Sequence, residues 1–191
     1  MAAAAWAEAW LALTGALRLA RGDTSGLGYF DPSEEGFWHS FRAAALCYPL
    51  YLILLAFPIE LGTPPEFDAW RVFLIETIHF VISWVAFPLL MVPLVDKLQR
   101  GDRYFIFMTA YNWCQVPQTA AFAAVALVGA IGLLSKDGMV IADLVVGVAA
   151  LVYEWYISYV SLAVSRPRAV LVVVFDVVLA TVLSHISSSL Y

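Results

Sequence analysis

The sequence predicts an all-α, polytopic membrane helix bundle: five transmembrane helices preceded by an N-terminal interfacial amphipathic helix. Three observations carry that prediction. Hydrophobic residues make up 63% and charged residues 13% of the 191 positions, whereas a soluble domain carries about 25% charged residues to cover its surface. Mean hydropathy is +0.85, so most of the outer surface needs no water. Apolar segments long enough to cross ~30 Å of hydrocarbon recur along the chain, each bounded by a polar or proline-containing break. Basic residues collect at alternate breaks, as the positive-inside rule requires.

The elements follow in order, with residues 1–30 read as an interfacial helix and loop and residues 31–191 as the five-helix domain. In the first twenty residues Trp6, Trp10, Leu13 and Leu17 recur at i, i+4, i+7 and i+11, one stripe of a helix from which Glu8 and Arg18 are absent. Such a helix fits the headgroup layer; packing on the protein's own cytoplasmic surface is the alternative. A secretory signal would need a positive side chain ahead of the apolar stretch, but Glu8 interrupts the stretch here and Arg18 and Arg21 follow it.

Asp31, Pro32, Ser33 and Glu34 read as a helix start with Asp31 as N-cap, leading through Phe37 and Trp38 into span one at about 41–58. Thr63, Pro64, Pro65 and Glu66 repeat that signal before span two at 69–95. After the polar break 96–103, span three runs over 104–134. Ser135 to Gly138 reads as a tight turn, span four covers 139–164, and Arg166, Pro167 and Arg168 precede span five at 169–190.

Arg18, Arg21, Arg42, Lys97, Arg100, Arg103, Arg166 and Arg168 fall at one set of connections, and only Lys136 and Arg71 at the other. That bias predicts a cytoplasmic N-terminus and a C-terminus on the opposite, periplasmic side. The net charge of −5, with ten dispersed Lys and Arg, excludes a nucleic-acid footprint. Cys47 and Cys114 lie in apolar segments without metal or redox spacing and read as small packing residues.

An ionisable side chain inside hydrocarbon costs at least ~2.5 kcal/mol, so each is a functional lead. Glu76 and His79 are three apart on span two. A di-iron carboxylate site takes two such Glu-x-x-His motifs with two further Glu, and only one is present, so no metal is predicted. Asp143, Gly147, Ala150, Glu154 and Ser158 form a stripe of small and polar residues on span four, Asp176 begins a similar one on span five, and Asn112 and Gln115 share a face of span three. A belt of Glu76, His79, Asn112, Gln115, Glu154 and Asp176 is therefore expected between helices. It reads either as interhelical hydrogen-bonding glue or as a path or pocket for a proton, an ion or a small polar solute. No catalytic triad, phosphate loop, dinucleotide fingerprint or cofactor signature is present.

Tyr29, Phe30, Asp31 and Pro32, followed by Phe37, Trp38, Ser40 and Phe41 and later by Tyr111, Asn112 and Trp113, resemble bacterial five-helix membrane proteins of uncharacterised function. These are loosely similar to the Yip family, whose eukaryotic members are membrane-trafficking factors that bind small GTPases. The motif which that family carries ahead of its first span has a different form here, so the resemblance implies the five-helix topology only and assigns no functional residue. The expected location is a bacterial inner membrane. The leading expectation is a non-enzymatic accessory or scaffold subunit of an inner-membrane complex, partnered by lipid and by other membrane subunits or itself. A small transporter or channel using intramembrane carboxylates is the alternative.

Overall fold

A computed structural model describes residues 2–57 and 69–190, with side chains from residue 6 onward. Its helices are α1 (Ala2–Ala20), α2 (Glu34–Ser40), α3 (Arg42–Ala56), α4 (Ala69–Lys97), α5 (Tyr104–Ala130), α6 (Lys136–Ser161) and α7 (Arg166–Ser188), with short 3-10 turns at Thr24–Tyr29 and Gly101–Arg103. Among the described residues five helical stretches are long and apolar enough to cross a membrane: Glu34–Ala56, Ala69–Lys97, Gly101–Ala130, Lys136–Ser161 and Arg166–Ser188. The chain is thus a multi-pass, all-α membrane protein.

The helix boundaries differ from the expected ones for local reasons. Ser33, not Asp31, caps α2: its hydroxyl accepts from Gly36 N at 3.1 Å, while Asp31 Oδ1 accepts from Ser33 N at 2.9 Å. Those hydrogen bonds from Ser33 hold the Asp31 carboxyl below its ordinary range. Ser135 is likewise an N-cap, its hydroxyl accepting from Gly138 N at 3.1 Å, so α6 begins at Lys136 and the turn lies before it. Span three ends at Ala130, four residues early, and the last two spans begin about three residues early. The expected start at Thr63 to Glu66 lies outside the described residues.

Packing radiates from α5, which lies against α3 and α6 along its length and also carries α1 and α2. α4 packs chiefly on α7, and α3 meets α4 mainly through side chains. The turns α4–α5 and α6–α7 close one end of the bundle. There Val95, Phe107, Met108, Leu162, Val164, Ala169 and Val172 form one buried core, and Arg103 Nη1 donates to Ser161 O at 3.2 Å. This end holds Lys97, Arg100, Arg103, Arg166 and Arg168 and is called the basic end below.

α1 packs on the bundle by a face of small residues and turns its aromatic stripe outward. Its buried face is Ala9, Ala12, Ala16 and Leu19, set against Ala110, Trp113, Cys114 and Ile157, and the aromatic stripe faces outward with Trp6 and Trp10 about 70% exposed. Small residues let the backbone approach closely, so the helix is docked by its alanines and not by its largest apolar groups. The approach is closest where Gly15 meets Gly26: a Cβ on Gly26 would stand 2.6 Å from Gly15 O. Glu8 pins the helix laterally. Its carboxylate accepts from His39 Nδ1 at 2.9 Å and from Arg42 Nη1 at 2.6 Å, and Tyr153 and Tyr156 on α6 donate to the carbonyls of Ala16 and Gly22.

Candidate functional site

Ten residues into α7, or ~15 Å from the basic end by helical rise, Asp176 stands among α5, α6 and α7. Tyr111 on α5 donates its hydroxyl to Asp176 Oδ2 at 2.9 Å, and its ring stacks on Phe87 of α4 with centroids 4.2 Å apart. The stacking locks the tyrosine, so the carboxyl is held by a rigid donor. Glu154 on α6 faces Asp176 closely enough for the two carboxyls to interact electrostatically. Glu154 Oε1 is sealed from solvent and has no hydrogen-bond partner among the described residues. A buried acceptor left open in this way costs free energy, so it marks a place where fold stability is not the only constraint.

A second polar cluster occupies the other half of the bundle, where Glu76 lies seven residues inside α4. Its carboxylate accepts from Ser187 Oγ at 2.8 Å, is bonded by the Tyr51 hydroxyl of α3, and lies 3.3 Å from His79 Nδ1. Glu76 and His79 share a helical face as their spacing requires, and they tie α4 to α3 and α7. Tyr48 adds a hydroxyl contact of 2.9 Å to Thr77, and the rings of Tyr48 and Tyr51 both pack on Phe80 at 5.2 Å. Tyrosine-length side chains thus fill the space between α3 and α4 and hold their backbones apart.

Between the two clusters lies a cavity of about 430 Å³ walled by α3, α4, α5 and α7, within the ~300–1,000 Å³ range of small-molecule sites. Its polar wall comprises Tyr51, His79, Ser83, Tyr111, Asn112, Gln115, Thr119, Asp176 and Ser184; its apolar wall includes Cys47, Phe80, Trp84, Phe87, Leu179 and Leu183. From Asp176 to Ser184 it runs eight residues along α7, ~12 Å of rise. Asn112 is braced from behind: its Nδ2 donates to Ser40 Oγ at 2.8 Å, and Ser40 donates to Phe37 O at 2.6 Å.

Of the six residues expected in the polar belt, His79, Asn112, Gln115 and Asp176 share this cavity, while Glu76 and Glu154 stand one layer behind it, each against a residue of its wall. The span-four stripe divides. Ser158 is buried with its hydroxyl unpartnered, but Asp143, Gly147 and Ala150 are only half-buried, and a Cβ on Gly147 would meet nothing within 4 Å. The stripe is therefore not a close helix contact along its whole length. Reasoning from polarity missed the aromatic wall of Tyr51, Phe80, Trp84, Phe87 and Tyr111. The signal was present on span two, where Glu76, Phe80, Ser83 and Phe87 recur at i, i+4, i+7 and i+11. Among the described residues no three His, Cys, Asp or Glu side chains are grouped to hold a metal ion.

Comparison with known proteins finds no matching family model, no matching curated protein and no matching solved structure.

Proposed function

We propose that this protein is a small carrier or channel whose intramembrane cavity binds a small solute at Asp176. The observation that carries this reading is the cavity itself: a carboxylate, a histidine and two amides line one space of about 430 Å³ inside helices that cross the membrane. Pure interhelical glue would pair these groups with one another and leave no space between them. Instead Asp176 uses one oxygen on Tyr111, and Asn112 is fixed from behind by Ser40. The arrangement is supported by rigid neighbours, as a binding site needs.

The test is chemical access. In protein with Cys47→Ala and Cys114→Ala, Ser83→Cys on the cavity wall should react with a small hydrophilic thiosulfonate reagent in membrane vesicles. Val81→Cys, on an outward face of the same helix that is 55% exposed in the structure, should not, because that face meets lipid. Equal protection of both positions removes the carrier reading.

A second reading, an accessory subunit of a larger complex in a bacterial inner membrane with the basic end cytoplasmic, is favoured by Asp143. This carboxylate lies seven residues into α6, ~10 Å from its start, beside the open space at Gly147, and makes no hydrogen bond or ion pair among the described residues. A partner subunit that supplied a donor there would relieve a costly position. Native mass spectrometry from membranes decides it: a monomer with no partner eliminates this second reading.

A further inference from the structure

We infer that the solute taken by this cavity is an organic cation, an ammonium carrying an apolar or aromatic group. The inference rests on the carrier reading above and names its substrate class. Its basis is the combination of three features that anions and neutral polar solutes do not require together.

The first is charge. Among the described residues Asp176 is the only carboxylate on the wall, and no Lys or Arg lines the cavity. Neither acid behind the wall, Glu154 beside Asp176 or Glu76 beside His79, supplies positive charge. Among the described residues His79 is the one wall residue able to carry positive charge, and its Nδ1 already faces Glu76 at 3.3 Å. An anion entering this space meets no compensating cation, and its desolvation would go unanswered.

The second is the fixed acceptor. Asp176 lines the cavity, and its Oδ2 takes the rigidly held Tyr111 hydroxyl at 2.9 Å. The carboxyl is thus held in place at the wall, where a ligand can reach it.

The third is the aromatic wall. Phe80, Trp84, Phe87 and Tyr111 approach from α4 and α5, with Tyr51 opposite on α3. Phe80 and Trp84 pack with centroids 5.9 Å apart and Phe87 on Tyr111 at 4.2 Å. Ring faces attract a cation through their quadrupole, and cages of this composition recognise substituted ammonium groups. A site for a hydrated inorganic ion would place oxygens where these rings stand.

The experiment uses the full chain in lipid nanodiscs and compares three probes of similar size: benzyltrimethylammonium, its neutral isostere neopentylbenzene, and benzenesulfonate. Protection of Ser83→Cys from thiol labelling, in the Cys47→Ala, Cys114→Ala background, reports occupancy. The ammonium should protect at a concentration at least tenfold below the neutral isostere, and benzenesulfonate should not protect. Asp176→Asn should abolish that preference, and Phe80→Leu should weaken the ammonium about tenfold while sparing the neutral probe. If the neutral and cationic probes protect equally, the cavity remains a solute site and the cation assignment is overturned. Preference for benzenesulfonate overturns it as well. If Ser83→Cys is never reachable, the carrier reading fails first. Should Asp176→Asn not fold, the probe comparison on the parent protein decides alone.

Discussion

Three glycine-to-alanine substitutions should have different signs, and the geometry sets each one. Inside a helix the change is favourable by about 1 kcal/mol from propensity alone. At Gly147 a Cβ meets nothing within 4 Å, so Gly147→Ala should stabilise by up to about 1 kcal/mol. At Gly15 the new Cβ would stand 2.7 Å from Tyr29 Cβ and 2.8 Å from Gly26 O, both fixed to backbone and unable to rotate away. Overpacking of that kind costs about 1–3 kcal/mol, which outweighs the propensity gain and leaves Gly15→Ala destabilising by about 1–2 kcal/mol net. Gly26 lies in a 3-10 turn and gains nothing from α-helix propensity. Its Cβ would stand 2.6 Å from Gly15 O and 3.1 Å from Arg18 Cβ, so Gly26→Ala should be the worst of the three. Reversible unfolding in dodecylmaltoside and dodecyl sulfate mixed micelles reads the order. If Gly15→Ala stabilises like Gly147→Ala, α1 is not docked as described and the account of its alanine face is wrong. If Gly147→Ala destabilises instead, another subunit presses on that face.

Two further outcomes follow from hydrogen bonds behind the site. Ser40→Ala removes the acceptor of Asn112 Nδ2 and leaves a buried amide unsatisfied; unfolding midpoints should fall by the equivalent of about 1–3 kcal/mol, and Ser40→Thr should recover part of the loss. The Asp31 carboxyl is held low by its bonds from Ser33. A group with a depressed folded pKa contributes stability above its unfolded pKa and loses it as pH falls through the folded value. Melting followed from pH 6 to pH 3 should therefore show an acid-side loss in the parent protein that shrinks in Asp31→Asn, whose amide oxygen still accepts from Ser33 but does not titrate in this range. An identical acid limb in both proteins refutes the role of Asp31.

The number and order of spans could be read from hydropathy because a membrane helix needs a continuous apolar run, which one sequence displays in full. Helix starts were harder. Asp31 and Ser33 both offer a capping side chain, and which one caps depends on a competition between two local hydrogen bonds that spacing does not resolve. The N-terminal stripe marked a helix but not the face that docks it: bulk marks lipid-facing or core-facing surface alike, while close helix docking selects small residues, so Ala9, Ala12 and Ala16 make the contact with the bundle and Trp6 and Trp10 face outward. Helical spacing could suggest that Asn112, Gln115 and Asp176 turn inward. That a cavity separates them, and that Glu154 stands behind the wall, depends on how far Tyr48 and Tyr51 push α3 from α4, a distance no periodicity encodes.

The central place of α5 has a consequence for biogenesis. The first two of the five spans in chain order, α3 and α4, share little backbone contact, and the main partner of α3 lies a whole hairpin later in the chain. α1 also waits for α5, whose Ala110, Trp113 and Cys114 complete its core, and α2 packs on α5 as well. A nascent chain halted before Tyr104 would have α3 and α4 joined only by side chains such as Tyr48 and Tyr51, with the main partner of α3 still missing. Among the five spans α5 is therefore the one that draws the others into a bundle.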